Sequence, residues 1–146
     1  MKTLLPAVRD AVKVMAILPS ASACYITPDA RWRPDGVNGT CLGVMNGGVI
    51  REELAGRVWE ITATVDIIGF VPLTADAATA ICGTAGVEQL LDDATAILKN
   101  NRLSLSEVQS VRIGNDRPSG LHQAEEDNWL VSVIRQVIYT IERASV

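Results

Sequence analysis

Arg57-Val58-Trp59-Glu60-Ile61-Thr62-Ala63-Thr64-Val65-Asp66-Ile67 carries the clearest structural signal in the chain. Apolar Trp59, Ile61, Ala63, Val65 and Ile67 alternate with polar Glu60, Thr62, Thr64 and Asp66, the period of two that a strand shows when one face meets a core. Upstream, Cys41 to Met45 reads as a short apolar strand. It is followed by Asn46-Gly47-Gly48, whose first two residues favour a type I′ turn and predict a hairpin reversing there. Val49 to Gly56 either extends that hairpin or protrudes as a loop, with Arg51, Glu52 and Glu53 as solvated surface. Downstream, Ser104 to Gly114 contains a strand. The last run, Asn128 to Arg143, sets Trp129, Val131, Val133, Val137, Tyr139 and Ile141 on one face, interrupted by Arg135. Leu130, Ile134 and Ile138 on the other face place this strand centrally or against a partner.

Working outward, Leu4, Leu5, Val8, Ala11, Val12 and Met15 follow helical spacing, with Arg9, Asp10 and Lys13 opposite, which predicts an amphipathic helix from Leu4 to Met15. Thr3 is placed to cap it and Pro19 to stop it. Ala23 to Thr27 reads as a short strand, and the Pro- and Gly-punctuated loop after it carries Arg31, Trp32 and Arg33. Trp32 between two arginines is a contact site or a lid folded over the core edge. A second helical face runs through Val87, Leu90, Leu91, Ala94, Ile97 and Leu98, preceded by an Ala/Thr-rich run from Thr74, with Asp92 and Asp93 on its wet side. Asn115 to Asp127 is too polar for a core and reads as an exposed arm or long hairpin loop. His122 with Glu125, Glu126 and Asp127 forms either a divalent-cation site or a set of clustered acids on a mobile loop. Together these elements define one α+β domain over 1–146: a mostly antiparallel sheet with long central and C-terminal strands, flanked on one face by two helices.

The 146 residues are 48% hydrophobic and carry thirteen Lys plus Arg against seventeen Asp plus Glu, a net charge of −4. That size and balance fit one globular domain, exclude disorder and a fibrous repeat, and leave no basic face for duplex binding. Three cysteines, Cys24, Cys41 and Cys82, lack a CxxC pair and read as reduced core residues. The apolar start at Leu4 and Leu5 is interrupted by Arg9, Asp10 and Lys13 far short of a membrane span, so the chain reads as cytosolic in origin. Asn38-Gly39-Thr40 reads as a turn. His122 is the only histidine, and no nucleophile elbow, phosphate loop or dinucleotide fingerprint accompanies it. The expectation is therefore no catalytic residue, no bound metal and no cofactor. A mean hydropathy of +0.21 points to self-association.

The order of elements resembles the tail-terminator proteins of long-tailed bacteriophages, the lambda type, and more loosely other small head-to-tail joining proteins. The likeness rests on the opening helix from Leu4, on Arg51-Glu52-Glu53-Leu54 leading into the Trp59 strand, and on Asp127-Asn128-Trp129 leading into Val137-Ile138-Tyr139-Thr140-Ile141-Glu142. The family similarly has an acidic "EEL" stretch before a Trp-containing strand and ends on a "YVITYE"-like strand. The loop from Pro28 to Thr40 is longer than the family pattern, and Cys82-Gly83 departs from it. The resemblance implies a virion subunit forming a six-membered ring, assembled in the host cytoplasm. Such a ring caps the tail tube, meets a head-side connector and lets DNA pass through its channel. It further implies that Arg51, Glu52, Glu53 and Arg57 contact other subunits or the tube protein. The arm bearing Asp116, Arg117, His122, Glu125, Glu126 and Asp127 would then reach a neighbour, and sheets of this kind can join edge to edge around a ring. A head-tail stopper, a tail-tube subunit and a small α+β ligand-binding module with Cys24 or Cys41 in a pocket are the alternatives.

Overall fold

The computed structural model describes residues 1–74, 76–124 and 128–144, of residues 143 and 144 the backbone alone. Its elements are α1 (Leu4–Val12), β1 (Cys24–Ile26), β2 (Cys41–Glu53), β3 (Val58–Pro72), α2 (Ala77–Cys82), α3 (Val87–Leu98), β4 (Val108–Gln123) and β5 (Trp129–Ala144). The five strands form one sheet in the order β1-β2-β3-β5-β4, antiparallel throughout except for the parallel β1–β2 pair. The fold is thus α+β, as the alternation of β3 and β5 predicts.

The helices lie on one face of the sheet. A Cβ at Gly69 would stand 3.1–3.3 Å from side-chain atoms of Val87, Leu90 and Leu91, so α3 approaches the sheet where β3 has no side chain. Val65, Ile67 and Val71 share that face of β3, and Val137, Tyr139 and Ile141 lie opposite their β3 partners on β5. α1 packs on β1, β2 and α3 through Leu4, Val8 and Val12. It is shorter than the sequence predicts. After Lys13 the chain tightens into turns, with Met15 N–H donating to Val12 O and Leu18 N–H to Met15 O, which keep Met15 and Leu18 buried at a spacing of three. The second helical segment is divided by 83–86 into α2, capped by the Asp76 carboxylate accepting from Thr79 N–H (2.8 Å), and α3.

Two expectations are corrected. Asn46-Gly47-Gly48 does not reverse the chain. β2 continues to Glu53, a bulge at Asn46/Gly48 absorbs the glycines, and the turn lies at 54–57, closed by Leu54 N–H donating to Val58 O (2.8 Å). The local preference for a turn yields because pairing then runs along β3 from Cys41↔Phe70 to Glu53↔Trp59. Asn115 to Gln123 is not a loop either. It is the second half of β4, paired with β5 through register shifts at Val108/Ser110, Ile113/Asp116 and Pro118/Gly120. An edge strand tolerates polar residues and a Pro at a bulge, so the polarity of this stretch does not prevent pairing.

Candidate functional site

The residues nominated from sequence fall at the two ends of the sheet. At one end, the 27–40 loop folds over the face opposite the helices. The Trp32 ring meets Tyr25 edge-on at 5.9 Å yet remains 46% exposed, so it is part lid and part surface. Arg33 lies over the Phe70 ring (5.3 Å) and donates to Gln123 O (3.1 Å), tying the loop to β4. Arg31, Trp32 and Arg33 with Gln123 and Ala124 border an open cleft of about 420 Å³. His122 also meets Phe70 edge-on (5.3 Å), and its Nε2 donates to Ser119 O (2.8 Å). His122 is thus half-buried packing. Glu125, Glu126 and Asp127 lie outside the described residues, and among the described residues no group of three or more His, Cys, Asp or Glu is placed to hold a metal ion.

Asp116 and Arg117 are committed within the chain. Arg135 donates from Nε and Nη2 to the two Asp116 carboxylate oxygens (2.7 and 2.9 Å), and from Nη1 to Asp92 (2.7 Å) on α3. The Asp116 contact, ahead of the Asp92 one, holds the Arg135 guanidinium above its ordinary pKa. Asp92 is therefore more than a solvated acid. Arg117 donates to Asp66 Oδ2 (2.9 Å), and Asp66 is 3% exposed. Its alternation with Ile67 predicts a wet side chain, but Arg117 and the Gly47 bulge close over it: a Cβ at Gly47 would come within 2.7 Å of Asp66 Oδ1.

At the other end, the β2–β3 hairpin and the end of β5 extend with one face bare. Arg51, Glu52, Glu53 and Arg57 are exposed there, with Arg57 at φ 70° in the turn. Ile50 is 70% exposed on the same hairpin. The register adds residues that the sequence alone does not single out. Glu52 pairs with Glu60, and Glu60 with Glu142, so three carboxylates cross β2, β3 and β5 on one rung of the face away from the helices. Like charges directly opposite are unfavourable, and no basic side chain among the described residues pairs with them. Each glutamate is an ordinary polar member of its strand's alternation, and only the register brings them together.

Burial pushes the Cys24 thiol up to about 12 and the Cys41 thiol up to about 11, so both stay protonated and unreactive. Cys82, expected in the core, is exposed at the end of α2. No helix among the described residues is long and apolar enough to cross a membrane. No protein-family model matches this chain, and a search of curated proteins finds no match.

Proposed function

We propose that the chain is a structural virion subunit, a ring-forming tail terminator that caps a phage tail tube and joins it to a head-side connector, without turnover of a substrate. The observation that carries this reading is the bare end of the sheet: a long hairpin with open backbone and a face bearing Glu52, Glu60 and Glu142. A hairpin of this length projecting past its helices is costly for a free monomer and useful to a subunit that meets others. An acidic face turned toward a channel lets DNA pass without adhering. The resemblance in element order supports the same assignment, with the tube protein and the connector as partners and the virion tail as location.

Native mass spectrometry over a concentration series, with and without magnesium, followed by negative-stain imaging, tests it. A closed six-membered ring that halts elongation of purified tube subunits is expected. Open tubes would make the chain a tube subunit, and a monomer that leaves elongation unchanged would overturn the reading.

One observation favours a second reading. A wholly apolar groove of about 320 Å³ lies between α2 and the β4–β5 hairpin, lined by Leu73, Ala77, Ile81, Pro118, Leu121 and Val133 among others. A small α+β module for an apolar ligand would use such a groove. Saturable binding of an anilinonaphthalene sulfonate dye, abolished by Leu121→Asp, would favour it.

A further inference from the structure

Two edges of the sheet lack a neighbouring strand among the described residues. β1 covers β2 only from Cys24↔Leu42 to Ile26↔Val44, so β2 beyond Met45 presents its outward backbone groups to solvent. β4 forms the opposite edge. Open edges are templates for a strand from another chain. β2 is antiparallel to β3, β3 to β5 and β5 to β4. β4 of a second copy set beside β2 in the same orientation therefore runs antiparallel to it, ready to continue the ladder.

The charges at the two edges are complementary. Arg112 is exposed, lies opposite Ile138 on the face away from the helices, and has no side-chain partner among the described residues. Glu52 ends the carboxylate rung on that same face at the other edge. On β4, the register shifts at Val108/Ser110 and Ile113/Asp116 leave 110–113 as a regular stretch around Arg112.

We propose that β2 of one copy pairs with β4 of the next, in a head-to-tail contact that seats Arg112 beside Glu52. The inference deepens the ring reading and rests on its self-association. Ring geometry asks for the same register. Along β5, Ile138 and Glu142 are separated by four residues, roughly 14 Å of strand, and the four strands β2, β3, β5 and β4 that repeat at this level span about 19 Å. Bringing Arg112 level with Glu52 therefore tilts the strands by about 36°, within the roughly 35–45° that closed sheets adopt. A self-paired β2 edge would instead give a closed dimer and leave Arg112 unused.

The test is a charge swap read by native mass spectrometry. Glu52→Lys and Arg112→Glu should each raise the concentration for half-assembly by at least about tenfold, a change of about 1.4 kcal/mol. The double variant should return it to within a few-fold of the wild-type value. Circular dichroism checks that these exposed substitutions leave the fold intact. In a Cys82→Ser background, Glu52→Cys together with Arg112→Cys should give a ladder of disulfide-linked oligomers under mild oxidation, and either cysteine alone should not. A ring that survives both single reversals, or a double variant no better than the singles, overturns this contact while leaving the ring reading standing. A wild-type chain that stays monomeric at every concentration removes both.

Discussion

At the residue scale, the buried polar atoms decide where the molecule is sensitive. The Tyr139 hydroxyl is fully buried with no hydrogen-bond partner among the described residues, and burial raises its pKa. Tyr139→Phe removes an unpaired donor at constant shape and is expected to be neutral or to stabilise by up to about 1 kcal/mol, measured by urea denaturation. Arg117→Ala leaves the Asp66 carboxylate without its cation. Because Arg117 is half-exposed and water reaches the pair, a loss of about 1–2 kcal/mol is expected rather than the full cost of a buried pair. The buried thiols set a response to base. Folded Cys24 and Cys41 titrate near 12 and 11 against an ordinary value of 9.0, so the folded state resists ionisation that the unfolded chain accepts. Their contribution is intact below pH 9 and is lost as pH rises from 9 toward 11–12, which denaturation midpoints at pH 7, 9 and 10.5 will show. The same residues give a labelling pattern: Cys82 reacts with a maleimide in the native state, and Cys24 and Cys41 only after unfolding. Little of this is legible in the sequence. Asp66 reads as wet because alternation assigns it a face, whereas its burial depends on a bulge in one strand and an arginine contributed by another.

At the scale of elements, the bulge in β2 and the clamp on β5 hold separate pieces together. Gly48 sits at φ 120°, where a side chain is strained, and a Cβ at Gly47 would crowd the Asp66 carboxylate. Gly47→Ala is expected to cost about 1–3 kcal/mol through overpacking, seen as a lowered thermal midpoint. Arg135 joins α3 to β4 through Asp92 and Asp116, and this explains the one charge that interrupts the apolar face of β5. The alternation of 57–67 and 129–141 is legible because each strand keeps one face on the helices for most of its length. The Asn46-Gly47 turn signal misleads because a two-residue preference of about 1 kcal/mol competes with a whole ladder. The polar stretch 115–123 misleads for a different reason: composition reports burial, and an edge strand can be paired without being buried.

At the scale of the molecule, both edges and one bare face would set the terms of the proposed assembly. An Arg112–Glu52 contact at an exposed edge is screened by salt, so oligomers are expected to dissociate as sodium chloride rises from about 50 to 500 mM, followed by analytical ultracentrifugation. The exposed charges Arg51, Glu52, Glu53 and Arg57 are legible in the sequence, whereas Glu60, Glu142 and Arg112 join them only through register. The strand order has one more consequence, which concerns how the chain reaches this state. β2–β3 and β4–β5 are local hairpins, whereas the seam between them joins Pro72 to Leu130 and Val58 to Ala144 across both intervening helices. Long-range closure of this kind is the slow event in folding. Until it occurs, each hairpin shows an inner edge that fits the other hairpin of any copy equally well. Refolding at high concentration is therefore expected to yield interlocked dimers that exchange hairpins, and dilution to suppress them, so that the order in which the seam and the outer edges close decides between the proposed ring and a tangle.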